Sequence, residues 1–368
     1  MTISFPHLAN YNVALEGLLR IMLPDEKILI APPNSKKTIE LGAKHSPDFV
    51  CVPFKYNLGN MIEALEAGAD VLCVIGGGCR YGYYGELQEQ ILRDLGYKFT
   101  FFNPYGTDGF SLKYAYGAFK KLGSPAGFLK FVYAAALTAR KMMIMDRVDV
   151  FIRENIGFET ERGSFESLKK AFYAELRGAL SFVKMRKAAN KYNRLFRRLP
   201  VSKPDAPLNV GLIGELYTVM EPFANYEMEK ELARYNIRVS RFTDVTYLLL
   251  KNKKRKERRN VRQSKGYVKY YLGADATHSV AKCRALADKG CDGVIHVKPF
   301  GCTPEINAMP ILMNIGREHK LPVLFFSFDE QTSETGVKTR LEAFYDMISM
   351  KRENREQTAG NREQGRIK

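Results

Sequence analysis

The chain has 368 residues, 45% of them hydrophobic and 26% charged, with a formal net charge of +17. That length accommodates two α/β domains, each burying its own core, and makes disulfide staples unnecessary. No apolar stretch approaches the roughly 20 residues of a membrane helix, and Met1 to Asn12 lack the charged start, apolar run and cleavage site of a secretory signal, so a soluble cytoplasmic protein without a membrane partner is expected.

From Lys27 onward, short apolar runs alternate with helix-length amphipathic segments, the pattern of a parallel sheet with crossover helices. Residues 1–104 read as a first α/β domain with an N-terminal helical segment and strands at Lys27 to Ala31, Phe49 to Val52, Val71 to Ile75 and Lys98 to Phe102. Ser35 has the character of an N-cap, Gly68 and Gly96 of helix ends, and Pro53 closes the second strand. Residues 105–205 lose the strand signal and carry Ala, Leu, Met, Lys and Arg at helical spacing, as in Tyr133 to Met145 and Phe165 to Ala189. They form a helical insertion closed by a linker at Pro200, Pro204 and Pro207.

Residues 206–350 repeat the first pattern, with strands at Asn209 to Ile213, Ile237 to Ser240, Gly293 to Val297 and Pro322 to Ser327. Helices are predicted over Glu227 to Tyr235, Thr277 to Lys289, Pro304 to His319 and Thr335 to Ser349. Residues 351–368 are basic and nearly devoid of apolar side chains, so a disordered tail is expected. The positive charge gathers there, in Lys184 to Arg198 and in Lys251 to Arg262. The run 251–262 reads first as a solvated face and more sharply as a dock for an acidic partner or for phosphates. Nucleic acid is an unlikely partner, because no stacking aromatics are interleaved with these charges.

Six cysteines in a reducing compartment are core residues, ligands or nucleophiles rather than disulfides. Cys51 ends a predicted strand, Cys79 follows another across Gly76, Gly77 and Gly78, and Cys302 follows a third across Lys298 to Gly301. Ligands of open parallel sheets gather at the carboxyl ends of strands, so these three thiols can share a cleft between domains. Thiolates select soft centres, iron–sulfur or zinc, but Cys-x-x-Cys clips and well-spaced histidines are missing. Three thiolates on a cubane would leave one iron open. The glycines suit close approach to an inorganic core, and suit equally well a phosphate-binding or tight strand-to-helix turn. Cys73, Cys283 and Cys291 read as core residues.

Arg80, Tyr81, Tyr83 and Lys55 neighbour the three cysteines, where a cation can offset cluster charge or hold a substrate anion, and packing or salt bridging serves as well. Glu215 and Glu330, at strand ends of the second domain, are the candidate proton-transfer residues, with helix capping the plainer role, favoured for Asp329. His296, on the strand leading to Cys302, is the histidine nearest the proposed cleft.

Three segments carry a family likeness. Ser46-Pro-Asp-Phe-Val-Cys-Val-Pro-Phe-Lys-Tyr-Asn-Leu-Gly59, Gly78-Cys-Arg-Tyr-Gly-Tyr-Tyr84 and Lys298-Pro-Phe-Gly-Cys-Thr-Pro304 resemble the cysteine segments of the 2-hydroxyacyl-CoA dehydratase subunits and their activase-associated relatives. The third is followed by Asp329-Glu330, Thr335-Gly336 and Thr339-Arg-Leu-Glu-Ala-Phe344 at family-like distance. The resemblance implies two flavodoxin-like (Rossmann-like) domains with a helical part, and a [4Fe–4S] cluster held here by Cys51, Cys79 and Cys302 beside Gly77, Gly78 and Arg80. A double cubane, as in one branch, would need further thiolates. It also implies an ATP-hydrolysing iron–sulfur activase as electron donor, a related second subunit or a homodimer, and a CoA thioester as substrate.

An iron–sulfur reductase or dehydratase component that activates substrate at an open cluster iron is the leading expectation. The other two are a non-catalytic electron carrier or cluster-delivery protein, and a metal-free nucleotide-binding protein.

Overall fold

The computed structural model describes residues 1–74, 79, 81–104, 111–247 and 253–364. The first sheet is built from β1 (Thr2–Ser4), β2 (Lys27–Ile28), β3 (Val71–Cys73) and β4 (Thr100–Phe102). Around it lie α1 (Asn12–Met22), α2 (Lys36–His45), α3 (Val52–Glu66) and α4 (Tyr81–Asp94). A helical stretch follows, comprising α5 (Leu112–Lys121), α6 (Phe128–Asn155), α7 (Ser164–Gly178) and α8 (Phe182–Phe196). The second sheet contains β5 (Asn209–Gly214), β6 (Arg238–Arg241), β7 (Gly293–Pro299) and β8 (Val323–Phe328). Its helices are α9 (Leu216–Met220), α10 (Met228–Arg234), α11 (Lys253–Gln263), α12 (Ala276–Asp288), α13 (Thr303–Glu318) and α14 (Glu334–Gln364).

Both sheets are wholly parallel and share one strand order, β2-β1-β3-β4 and β6-β5-β7-β8. This is the flavodoxin-like winding, in which the order reverses between the first and third strands and opens a crevice at their carboxyl ends. Strand β7 is buried at every position, as a central strand covered on both faces must be. Gly214 ends β5 at φ 136°, and a Cβ there would stand 1.8 Å from Val297 O, so only glycine lets β5 run this close to β7.

The helical stretch is not a detached module. Met142 and Met145 of α6, Phe172 of α7 and Phe196 of α8 share one apolar cluster with Val13 of α1 and with Val210 and Leu212 of β5. Asp146 on α6 adds a polar tie, because its carboxylate accepts from Tyr11 Oη and, at 2.9 Å, from Thr246 N. The two α/β halves also meet directly. Asn34 Nδ2 donates to Tyr217 Oη at 2.9 Å, Ala9 N donates to Glu221 Oε2 at 2.6 Å, and Tyr56 stacks on Tyr217 with ring centres 6.0 Å apart.

Several local expectations are corrected. The strand predicted at Phe49 to Val52 is a turn that leads into α3, and Pro53 opens that helix instead of closing a strand. The missing N–H of proline is no loss in a first helical turn. The N-terminal segment begins with β1, too short to show a pattern. The helical spacing over Phe165 to Ala189 is realised as two helices that part after Gly178, and Ser181 caps α8 by accepting from Lys184 N. Residues 351–364 are helical rather than disordered, since α14 continues through them. Arg, Glu and Gln favour helix, and Arg352 anchors the extension in three bonds to Asp292 at 2.7, 2.8 and 3.0 Å. Among the described residues no helix is long and apolar enough to cross a membrane.

Candidate functional site

Three cysteines stand at the starts of three helices. Cys51 is the N-cap of α3 and Cys302 the N-cap of α13, and each is followed two residues on by a proline, Pro53 and Pro304. Cys79 lies two residues before α4, and its carbonyl accepts from Gly82 N at 3.0 Å. Cys79 and Cys302 are topological equivalents, each between the third strand of its sheet and the next helix. That position is beside the switch point where flavodoxin-like sheets bind ligands. Cys51 is different, because it closes the connection between α2 and α3 instead of following a strand.

That connection is positioned by unusually close helix packing. A Cβ on Gly42 would lie 1.7 Å from Lys55 O, and one on Gly59 would lie 1.9 Å from Thr38 O, so the backbones of α2 and α3 touch at two glycines. The contact fixes the start of α3, and with it Cys51 and Lys55.

Cys51 lies within electrostatic reach of Cys79 and of Cys302. Burial pushes the Cys51 thiol up to about 11, a hydrogen bond with Tyr84 opposes the rise, and the charges of Glu215 and Cys79 add to it. Cys51 Sγ and Tyr84 Oη are 3.2 Å apart. Burial likewise raises Cys302, reinforced by Glu215, Glu305 and Cys51. A helix N-terminus ordinarily favours a thiolate, but desolvation prevails at both positions. Cys79 is exposed, whereas Cys51 and Cys302 are half-buried.

Acidic side chains stand behind Cys302. Glu215 caps α9, accepting from Tyr217 N at 3.0 Å, Thr218 N at 2.9 Å and Thr218 Oγ1 at 2.7 Å. Desolvation raises its pKa, and Glu305 contributes to the rise. Asp275 accepts from Leu216 N at 3.2 Å. Desolvation, then the charges of Glu215 and Glu305, push it up to about 7. Glu305, in the first turn of α13, is 2.6 Å from His296 Nε2 and 3.1 Å from Ser279 Oγ. Lys298 is buried, and its pKa is lowered by desolvation against the pull of Cys302 and Glu305. Tyr271, at the exposed rim, senses both Asp275 and Cys79.

The remaining sequence candidates fall as follows. Glu330 is engaged by Lys55, Nζ to Oε1 at 2.7 Å. Asp329 closes its own turn, accepting from Gln331 N at 3.0 Å and Thr332 Oγ1 at 2.8 Å. Gly77, Gly78 and Arg80 lie outside the described residues, as do Gly76 and the start of the basic run at Lys251. His296 is buried and bonded to Glu305. Cys73, Cys283 and Cys291 are buried in apolar clusters. Tyr84, Asp275 and Glu305 were not singled out by sequence. Tyr84 ends the second cysteine segment and Glu305 follows Cys302 by three residues, one helical turn, a spacing that could have flagged both. Asp275 had no such signal.

Among the described residues, no three His, Cys, Asp or Glu side chains gather tightly enough to hold a metal ion. Two flavodoxin-like domains, with cysteines at or just before the starts of their helices, define an α/β protein. Residues 268–348, less than half of the chain, match the family model of the 2-hydroxyglutaryl-CoA dehydratase D-component. The matched stretch includes β7, the Cys302 segment, α13 and β8. No curated protein matches the chain.

Proposed function

We propose that this chain is the iron–sulfur component of a dehydratase or ATP-dependent reductase system, with Cys51, Cys79 and Cys302 as the three ligands of one [4Fe–4S] cluster. The reading is supported by the placement of Cys51 and Cys302 as helix N-caps and of Cys79 just before a helix, with Cys51 near enough to each of the other two to feel its charge. A set of thiols without nitrogen or carboxylate partners suits an iron–sulfur cluster. The thiols of a cluster bind separate irons, so they need not converge on the single point that one metal ion requires.

Such a cluster, when bound, supplies one-electron chemistry and an iron open to substrate, fed by an activase. The protein's residues do the rest. Tyr84 Oη shares a hydrogen bond with the Cys51 sulfur and would donate it to a thiolate there. The backbone N–H of Glu305 bonds the Cys302 sulfur. Glu215 and Asp275 hold protons more firmly than ordinary carboxyls because their surroundings are poor in water, and Asp275, pushed up to about 7, can keep or release one near neutral pH. The hydroxyl of a 2-hydroxyacyl thioester, as leaving group, requires such a proton.

Anaerobic purification with iron and sulfide analysis and electron paramagnetic resonance tests the reading. The wild-type chain carries about four irons per monomer by the composition of the proposed cluster, and Cys51→Ala, Cys79→Ala and Cys302→Ala each lose the signal. A full cluster in all three variants, with loss only in Cys73→Ala, would overturn the ligand set. Turnover of an added acyl-CoA with reduced activase supports the catalytic role, and cluster or electron transfer without turnover replaces it with that of a carrier.

A further inference from the structure

A cavity of about 650 Å³ opens where the end of α6, α7, α10 and β6 face the loops after β1 and β2. It has none of the three cysteines, Tyr84, Glu215 or Lys55 in its lining. Ile152, Ile156, Ile237 and Val239 give it an apolar floor, with Tyr173 alongside. A volume of this size is that of a small-molecule site.

Charges in and around it are unevenly paired. Arg153, which lines the cavity, is only 6% exposed, and its nearest carboxylate contact is Glu229 Oε1 at 3.9 Å. That carboxylate is held more closely by Arg241, at 2.9 Å. Asp149 is engaged by Lys169 at 2.8 Å and by Tyr173 Oη at 2.9 Å. Burial raises the pKa of the neighbouring Asp146, whose oxygens are occupied by Tyr11 and Thr246. Arg241 and Lys169 hold Glu229 and Asp149 closely, with the charge of Asp244 also acting on Arg241 and that of Glu227 on Lys169, and among the described residues Arg153 has no carboxylate closer than 3.9 Å. An under-matched guanidinium in so dry a place is costly, and the planar fork of arginine is shaped for two oxygens of one anion. At the rim, Lys170 pairs with no described carboxylate, while Lys230 is held by Glu166 at 3.1 Å. Two cationic charges, those of Arg153 and Lys170, thus face the cavity without a close partner.

We propose that this cavity is a binding site for a small organic phosphate, whose dianionic group is taken by Arg153 and Lys170 and whose body lies on the isoleucine floor. The site is separate from the cysteine cleft, and the proposal does not depend on the cluster.

Isothermal titration of the full-length chain at fixed ionic strength tests it, with AMP and pyrophosphate as probes and adenosine and succinate as comparators. AMP and pyrophosphate are expected to bind and adenosine to fail. Arg153→Met should weaken AMP binding by about tenfold or more, the worth of a charge-assisted bidentate contact, and Lys170→Gln, at an exposed position that leaves folding intact, by about threefold. Affinities that neither substitution changes would assign the anion to another place, such as the basic helix α11, and overturn the proposal. So would the failure of both AMP and pyrophosphate to bind, or binding of succinate in preference to them.

Discussion

Lys55 on α3 and Glu330 after β8 form a 2.7 Å ion pair that joins the two α/β halves, with the lysine side chain only 4% exposed. Deleting the carboxylate leaves a buried ammonium uncompensated, whereas deleting the lysine leaves a carboxylate that water can reach. Glu330→Gln is therefore expected to cost about 2 kcal/mol, less than a fully buried pair because Glu330 is partly open. Lys55→Met should cost less, and the double variant should be close to Lys55→Met alone. Urea unfolding midpoints of the three variants measure this, and a Glu330→Gln variant as stable as wild type would remove the pair from the domain contact.

The approach of α2 to α3 tolerates no side chain at Gly42 or Gly59, where a Cβ would meet backbone oxygen at 1.7 and 1.9 Å. Gly59→Ala is expected to force the helices apart and cost about 3 kcal/mol or more, the range of severe overpacking. Because α3 begins at Cys51, the same variant should lower iron content, while Gly117→Ala, which meets nothing within 4 Å, should change neither. Thermal unfolding and iron analysis on one preparation separate the two effects.

Glu221 is 2% exposed, and burial pushes its pKa up to about 7 while Ala9 N and the Asn34 side chain oppose the rise. Between its unfolded value near 4.5 and about 7, the folded chain binds more protons than the unfolded chain. Stability therefore falls as pH rises through that window, and this contribution stays lost above it. Glu221→Gln should flatten the fall, by an amount on the order of 2–3 kcal/mol between pH 5 and 8. Denaturant midpoints across that range provide the check, and a pH profile unchanged by the substitution would exclude Glu221 as its source.

In the metal-free chain, alkylation should separate the cysteines. Cys79 is exposed, whereas Cys51 and Cys302 are half-buried with raised thiol pKa values. Iodoacetamide at pH 7 should modify Cys79 first and Cys51 and Cys302 at least about tenfold more slowly, because the thiolate is the reactive form. Raising the pH to 9 should accelerate the slow pair, and Cys73, Cys283 and Cys291 should stay unmodified until the chain unfolds. Mass spectrometry of peptides over time reads the order.

Domain two was legible because β5, β7 and β8 are long apolar runs of six or seven residues. Asn209 to Ile213 and Gly293 to Val297 were read within a residue or two of their observed ends. Domain one was less so. Its observed strands are two or three residues long, too short for alternation to register, and Phe49 to Val52 imitates a strand because a short apolar run has no period of its own. The last helix passed unnoticed beyond Ser349 because composition reports how little a segment can bury, not the ion pair with Asp292 that anchors it.

The linear chain by itself determined where the soft thiols fall, that both halves are parallel α/β, and which segments resemble the dehydratase family. Only the three-dimensional arrangement decided that Cys51 opens a helix, that Tyr84 and Glu305 attend the sulfurs, and that Glu330 is engaged by Lys55. The reason is physical. Residue type and local period act over a few positions, whereas desolvation and charge depend on which distant segments the fold brings together, and these set the chemistry of a thiol or a carboxylate.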